Sequence, residues 1–358
     1  MRKGATPGME NRKGVILQGH LDMVPQKNED TVHDFQNDPI QTYIDGEWVR
    51  AKGTTLGADN GMGVAAGMAI LTSTDIPHGP VEVLITATEE TGMDGANGLK
   101  PGLLNGDILL NLDSETEGEL YVGCAGGIDF SASFQYKEEA VPAGMAAFRL
   151  AIKGLKGGHS GMDINLGRGN SNKLLFRFLK TYAKDLGLRI ANILGGSLRN
   201  AIPRESFATV VLPAENAEKL QAAVKEAEAI FQAELSAKEP TLSVSAEATE
   251  MPSFVIDSCS QFRITNAILA CPNGPVRMID SMPGTVETSN NLAIVQSKDG
   301  KIIVKSLLRS SVETAKDALA QSIRAVFELA EADEINFEGG YPGWKPNPDS
   351  AILNEMQE

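Results

Sequence analysis

Short apolar blocks and glycine-rich polar turns alternate over the first 120 residues. The apolar runs at 14–19, 81–87 and 107–112 have the length and composition of buried strands. Between the first two, the segment 56–72 begins at a glycine-rich turn and continues as a helix, with Val64, Met68 and Leu71 spaced for one face. Strands that alternate with a helix in this way predict an α/β fold.

A different pattern begins after residue 126. We predict strands at 148–152, 206–212, 242–247, 292–295 and 302–308, and helices at 172–186, 216–233 and 312–330. These elements are typical of an α+β unit, so we predict a second domain over 127–338. A chain of 358 residues is long enough for two domains, because single cores usually stop growing at roughly 250–300 residues.

Charge and cysteine content exclude several classes of protein. With 47 acidic and 32 basic residues, the net charge of −15 repels phosphate backbones and anionic membranes, so we expect neither nucleic acid nor membrane as a partner. Three scattered cysteines are too few for a disulfide framework. The basic first 14 residues precede no apolar signal stretch, and no apolar run spans a bilayer, so we expect a cytoplasmic protein.

Polar residues follow each predicted strand and precede the predicted helix. In α/β sheets, ligand sites are built where the carboxyl ends of the strands meet. Six of these polar residues are candidates for one site: His20, Asp22, Asp59, Glu89, Glu90 and Asp113. Nitrogen and oxygen donors without a thiolate suit zinc, manganese or cobalt.

The spacing of these residues fits metal chemistry, although each has an ordinary alternative. Residues two apart on a strand point to the same side, so the Asp22 carboxylate can meet the ring of His20. Adjacent carboxylates at Glu89 and Glu90 repel each other unless a cation or proton is near, and one can bind metal while the other moves a proton. The alternatives are a chance His-x-Asp, a helix N-cap at Asp59 and a solvated turn at the glutamate pair.

Four strings carry a resemblance to a known family. They are VILQGHLDMVPQ, GTTLGADNGMGVA, ITATEETGMDGA and LLNLDSETEGELYVGCAGG. Together they resemble the M20 family of metallopeptidases, and within it the dipeptidases. The resemblance implies a zinc-peptidase catalytic domain with a central mixed sheet flanked by helices over 1–126. An inserted α+β lid or dimerisation domain follows at 127–338, and a return to the catalytic domain begins at 339–358.

The resemblance also implies a role for each matching position in the first domain. His20 and Asp113 would hold one zinc ion, Asp59 would bridge both ions, and Glu90 would contribute to the second. Asp22 would orient His20. Glu89 would be the general base that takes a proton from the attacking water and passes it to the leaving amine. The family tends to carry a cis peptide bond after the bridging aspartate, here between Asp59 and Asn60.

The second domain contributes three further candidates. The segment 157–163, Gly-Gly-His-Ser-Gly-Met-Asp, resembles the lid motif of the family, which implies that His159 stabilises the oxyanion of the reaction. A lone histidine is more often a packed or surface residue. Asn200 and Arg309 are candidates for holding the C-terminal carboxylate of the substrate, with ordinary strand-end polarity as the alternative. His33 and His78 lie in polar loops and receive no role.

The chain departs from the family pattern in one respect. The family takes a histidine for its second zinc from the far C-terminal part, whereas all four histidines here precede residue 160. Helices that the family places before the first strand are also lacking, so we expect a chain truncated at both ends. The second metal site is then incomplete, so one zinc ion should bind well and dipeptides should be hydrolysed poorly.

The expected function of the complete site is zinc-dependent hydrolysis of Xaa-His and other unblocked dipeptides. The alternatives are an inactive or metal-binding fragment of such an enzyme, and another M20 hydrolase such as an aminoacylase, carboxypeptidase or tripeptidase. Mn²⁺ or Co²⁺ could replace zinc. The size of the second domain favours a lid within one chain and leaves a homodimer open.

Overall fold

The chain divides into two units, each built around its own β-sheet. In the computed structural model, which describes residues 1–27, 31–114 and 116–357, one unit comprises Met1–Tyr121 with Pro348–Glu358, and the other comprises Val122–Asn347. The limits predicted for the second domain, 127 and 338, fall inside the first and last strands of the second unit.

The first unit contains a four-stranded mixed sheet. Its elements are β1 (Arg2–Lys3), β2 (Val15–His20), β3 (Thr42–Asp45), β4 (Trp48–Ala51), α1 (Ala58–Thr72), β5 (Val81–Thr86), α2 (Asp94–Asn97) and β6 (Ile108–Asn111). The sheet order is β1-β5-β2-β6, with β5, β2 and β6 parallel and β1 antiparallel. The carboxyl ends of three strands therefore lie side by side, as the fold class predicts. Strands β3 and β4 form a separate exposed hairpin.

Helix α1 packs against this sheet through glycines. Its buried residues are Asn60, Gly63 and Gly67, and a Cβ at Gly67 would lie 2.8 Å from Cγ1 of Val83. Met68, predicted on the apolar face, is 55% exposed. The helix was expected at the right place, but it buries Asn60 and two glycines instead of the predicted apolar face, because glycine lets the helix backbone come close to the strands.

The second unit is an antiparallel sheet covered by helices. Its elements are β7 (Gly126–Gln135), β8 (Glu138–Glu139), β9 (Met145–Lys153), β10 (Gly158–His159), α3 (Ser171–Leu186), β11 (Arg189–Gly195), β12 (Ala201–Ile202), β13 (Ser206–Pro213), α4 (Ala217–Leu235), β14 (Ser243–Ala248), β15 (Val255–Ile256), α5 (Ser258–Ala270), β16 (Gly274–Met278), β17 (Val286–Lys298), β18 (Lys301–Ser310), α6 (Glu313–Leu329) and β19 (Glu334–Tyr341). The order is β14-β9-β13-β11-β17-β18-β7-β19, and β16 pairs with β17.

Apolar side chains from the helices fill one large core in this unit. Phe176, Phe178 and Phe327 are almost fully buried there, together with Phe130 and Phe134 of β7. Burying side chains of this size contributes roughly 1.5–3 kcal/mol each. The predicted helices at 172–186, 216–233 and 312–330 correspond to α3, α4 and α6.

The last helix of the described residues is α7 (Ala351–Gln357), in the first unit. Among the described residues, no helix combines the length and the apolar character that crossing a membrane requires.

Candidate active site

His20 lies at the end of β2 and is only 1% exposed. Its Nδ1 is 2.9 Å from the backbone oxygen of Asp22, and because a carbonyl only accepts, Nδ1 carries the proton. When the ring is neutral, its Nε2 is therefore bare, and this atom lies 3.1 Å from Oδ1 of Asp59 and 3.4 Å from Oδ1 of Asp113. A free nitrogen lone pair facing two carboxylates is the arrangement that a metal-binding histidine needs.

Asp22 fixes the turn that follows β5. Its two carboxylate oxygens accept the backbone N–H groups of Glu89 and Glu90, each at 3.1 Å. Burial by itself would raise the pKa of the Asp22 carboxyl, but these two N–H groups hold it below its usual value. The carboxylate is 3.5 Å from Nδ1 of His20, so the closer partner of that nitrogen is the Asp22 main chain.

The six predicted residues of the first unit meet at this edge of the sheet. Ligand atoms lie within 4.8 Å of one another in two groups, one of His20, Glu89 and Asp113 and the other of His20, Asp59 and Glu90. The grouping differs from the one that the family resemblance implies, because Glu89 stands with His20 and Asp113. A single imidazole nitrogen is shared by both groups.

The electrostatics of this acidic cluster favour a bound cation. Burial, followed by the hydrogen-bonded neighbour Asp59, raises the pKa of Asp113 to about 6, and burial with Asp59 and Glu89 raises the pKa of Glu90. Burial alone would lower the pKa of His20, but Asp113 and Asp59 outweigh it and raise that pKa. Carboxylates that resist ionisation because they are buried and crowd one another are stabilised by divalent ions, so the donor set fits a metal centre.

His159 in the second unit has the opposite tautomer. Its Nδ1 accepts the backbone N–H groups of Gly161 at 3.2 Å and Met162 at 3.1 Å, so that nitrogen carries no proton. Burial and the nearby Arg309 lower the pKa of His159. The ring is therefore held neutral with a proton on Nε2, which makes it a hydrogen-bond donor rather than a base.

His159 and Arg309 line a cavity of about 420 Å³ in the second unit. Arg309 donates to Oγ of Ser160 at 3.4 Å and to the hydroxyl of Tyr341 at 3.3 Å. The backbone oxygen of Asn200 accepts the N–H of Ser160 at 2.8 Å, while the residue itself is exposed. The three candidates of this unit thus lie at one end of it, and Asn200 stands beside the cavity rather than in its wall.

Two buried polar residues support these groups and escaped the sequence analysis. Glu239, which is 1% exposed, accepts the backbone N–H of Lys156 at 2.8 Å and of Gly169 at 2.9 Å, and so closes the loop that carries His159. Asn60 is 5% exposed behind Asp59. Glu239 stands in no distinctive sequence context, and Asn60 was considered only for the peptide bond that precedes it. Burial would have been the signal, and a sequence does not display it.

The peptide bond between Asp59 and Asn60 is cis, as the family resemblance implies. Helix α1 begins after Gly57, and Asp59 lies at a kink in its first turn with non-helical backbone angles, where its Oδ1 is 3.1 Å from Nε2 of His20. His33 and His78 lie outside both candidate groups.

A histidine and clustered carboxylates at the carboxyl edge of a mostly parallel sheet define a candidate metal centre, and the comparisons with known proteins give its class, the metallopeptidases. Two family models match the chain, that of peptidase family M28 over residues 3–143 and that of the peptidase dimerisation domain over residues 150–239. Both belong to peptidases, and the second falls within the Val122–Asn347 unit.

Similarity to individual proteins extends over the whole chain. Over 358 residues the chain is 49% identical to the cytosol non-specific dipeptidase of Escherichia coli K12. The alignment covers 100% of this chain and 74% of that protein. The chain is also similar to the crystal structure of aminoacylhistidine dipeptidase from Vibrio alginolyticus, with 53% sequence identity and a TM-score of 0.91. The superposition covers 99% of this chain and 72% of that one. The chain therefore belongs to the M20 family of metallopeptidases, and both of these similar proteins carry the name of a dipeptidase.

Proposed function

We propose that this chain hydrolyses unblocked dipeptides, Xaa-His among them, in a metal-dependent reaction. The observation that carries the proposal is the convergence of His20 with four carboxylates in two overlapping groups at one sheet edge. The names of the two similar dipeptidases support this substrate class. The name of the bacterial relative, a cytosol enzyme, supports a cytoplasmic location.

Zinc is the ion best matched to one imidazole nitrogen and several carboxylate oxygens, with Mn²⁺ and Co²⁺ as alternatives. His20 and Asp113 would hold the first ion, Asp59 would serve both ions, and Glu90 would contribute to the second. When bound, such ions polarise the scissile carbonyl and make water more acidic. Because only one nitrogen serves both groups, the second ion depends on carboxylates and solvent among the described residues, and binds more weakly.

Glu89 is the general base of the proposed reaction. It takes a proton from water as the oxygen attacks the peptide carbonyl carbon, and delivers that proton to the leaving amine when the C–N bond breaks. Asp22 contributes by fixing the backbone on which Glu89 stands. His159 donates from Nε2 to the developing oxyanion, and Arg309, with Asn200, holds the C-terminal carboxylate of the substrate.

Peptide hydrolysis by purified, metal-free protein tests the proposal. Ala-His and Ala-Leu should be cleaved only after zinc is added, whereas N-acetylated Ala-His and the amide of Ala-His should resist cleavage. Cleavage of the acetylated peptide alone would instead indicate an aminoacylase. Equal cleavage of free and amidated peptides would contradict the role given to Arg309 and Asn200.

A metal-binding polypeptide without turnover is the second candidate, and the single shared imidazole favours it. Zinc content and turnover measured on one sample separate the two. Two ions per chain with turnover support the enzyme, and one ion without turnover supports the second candidate.

The Val122–Asn347 unit is proposed as the lid or dimerisation domain, since it contains the match to the peptidase dimerisation domain. Sedimentation equilibrium would give the oligomeric state directly. A mass near twice 38.1 kDa supports a homodimer, and a mass near 38.1 kDa supports a lid within one chain.

A further inference from the structure

Asn60 joins two segments that carry candidate metal ligands. It follows Asp59 directly, is 5% exposed, and donates from Nδ2 to the backbone oxygen of Leu112 at 2.8 Å. Leu112 directly precedes Asp113. One amide thus connects the start of α1 to the end of β6, although the two residues are 52 positions apart in the chain.

The same side chain contacts the segment that carries His20. Gly19 precedes His20, and a Cβ at Gly19 would overlap Oδ1 of Asn60. A Cβ at Gly63, one turn further along α1, would overlap the same oxygen. Asn60 therefore fills a space that exists only because both neighbours lack side chains.

The amide oxygen of Asn60 is buried without a hydrogen-bond partner among the described residues. Leaving a buried acceptor unpaired is unfavourable, so the oxygen itself does not explain why an amide stands here. The Nδ2 donor and the shape of the side chain explain why asparagine stands at this position. An aliphatic residue would leave the Leu112 oxygen without this partner.

We propose that Asn60 is a positioning residue that sets the spacing of His20, Asp59 and Asp113 before any ion binds. Groups that orient metal ligands without touching the ion commonly change metal affinity 10–100-fold. Asn60 would act on three ligands at once, through its own backbone, the Leu112 oxygen and the fit against Gly19. The inference rests on the proposed metal site.

Titration of Zn²⁺ and Co²⁺ into the metal-free full chain tests it. Asn60→Ala should weaken binding of the first ion by about 10-fold or more and alter the Co²⁺ absorption spectrum. The matched control is Asn172→Ala. Asn172 is also fully buried, donates to the Ala293 oxygen at 3.1 Å, has an unpartnered Oδ1 and packs against Gly195, but lies in the second unit. The Asn172→Ala substitution should lower thermal stability without changing ion affinity.

A second variant covers the case in which Asn60→Ala fails to fold. Gly63 has helical backbone angles, so Gly63→Ala should favour the helix while its methyl group displaces the amide of Asn60. Ion affinity should fall in this variant, and Gly63→Ala should cause no further loss when residue 60 is already alanine.

Unchanged ion affinity in Asn60→Ala, with a loss of stability like that of Asn172→Ala, would overturn the inference, as would independent, additive effects at positions 60 and 63. Failure of the unaltered protein to bind any ion would overturn the metal site of the proposed function and this inference with it. Absence of turnover with normal ion binding would contradict the proposed function alone.

Discussion

At the scale of single residues, the two candidate histidines differ in the nitrogen that carries the proton. The backbone oxygen of Asp22 holds the proton of His20 on Nδ1, and the N–H groups of Gly161 and Met162 exclude a proton from Nδ1 of His159. One ring therefore presents a lone pair and the other presents an N–H. These backbone contacts support the proposed roles of His20 as a metal ligand and of His159 as a donor to the oxyanion.

His159→Ala should reduce kcat by about 10²–10³-fold, the usual cost of losing one oxyanion donor, while ion affinity stays unchanged. His159→Gln should retain part of the activity, because the amide nitrogen of Gln can occupy the place of Nε2. His159→Asn, whose amide nitrogen cannot reach that place, is the matched control. Steady-state kinetics on Ala-His would measure this, and equal activity of the Gln and Asn variants would contradict the donor role.

Substitutions of the neighbours Glu89 and Glu90 should have different effects on turnover and on ion binding. Glu89→Gln removes the proposed base, so kcat should fall at least about 10²-fold while zinc still binds. Glu90→Gln removes a charged ligand and should weaken the second ion more than the first. Zinc titration beside kinetic assays separates the two. Loss of all ion binding in Glu89→Gln would show that Glu89 is chiefly a ligand.

At the scale of elements, Glu239 closes the loop between Lys156 and Gly169. Glu239→Gln replaces one acceptor oxygen by an NH₂ group, which leaves one buried N–H unpaired at a cost of about 1–3 kcal/mol. Amide exchange at Lys156 and Gly169 should therefore accelerate. Glu228→Gln is the control, because Glu228 uses a single oxygen, toward the N–H of Val244 at 3.1 Å. Equal exchange in both variants would rule out the closing role.

Strand β5 carries a carboxylate that makes the first unit sensitive to acid. The N–H groups of Asn105 and Gly106, together with Arg2, lower the pKa of Glu82 from its usual 4.5. Since the folded form has the lower pKa, this stabilisation is present above about pH 4.5 and is lost as the pH falls below it. Relative to the intrinsic exchange rate at each pH, the protection of β5 amides should fall between pH 5 and roughly pH 3, and Glu82→Gln should flatten that dependence.

The elements that the sequence predicted are those with strong local patterns. Helices α3, α4 and α6 follow from apolar spacing, and the ligand clusters follow from strand ends. The buried face of α1 does not follow from the apolar spacing, because it consists of Asn60 and two glycines. Strand β19 was not predicted from the sequence either. It pairs with β7 across some 200 residues, as in Glu334 with Ser133, and such pairing leaves no local mark.

At the scale of the whole molecule, bound ions should stabilise the first unit selectively. An ion at 1,000 times its dissociation constant contributes about 4 kcal/mol to the folded state. All ligands of the two candidate groups lie in Met1–Tyr121. Removing metal with a chelator should therefore lower the unfolding temperature of this unit while that of Val122–Asn347 stays constant. Scanning calorimetry would reveal this, and an equal shift of both transitions would contradict it.

The pairing of β7 with β19 has a consequence for how such a protein can arise. These are the first and last long strands of Val122–Asn347, and an isolated bridge joins Cys124 to Trp344 just outside them. The polypeptide thus enters and leaves this unit at neighbouring points. A segment with adjoining ends can be gained or lost by a gene in one recombination event without forcing apart the sequence on either side. The Val122–Asn347 unit therefore has the chain geometry of a domain that can be inserted or removed as one piece.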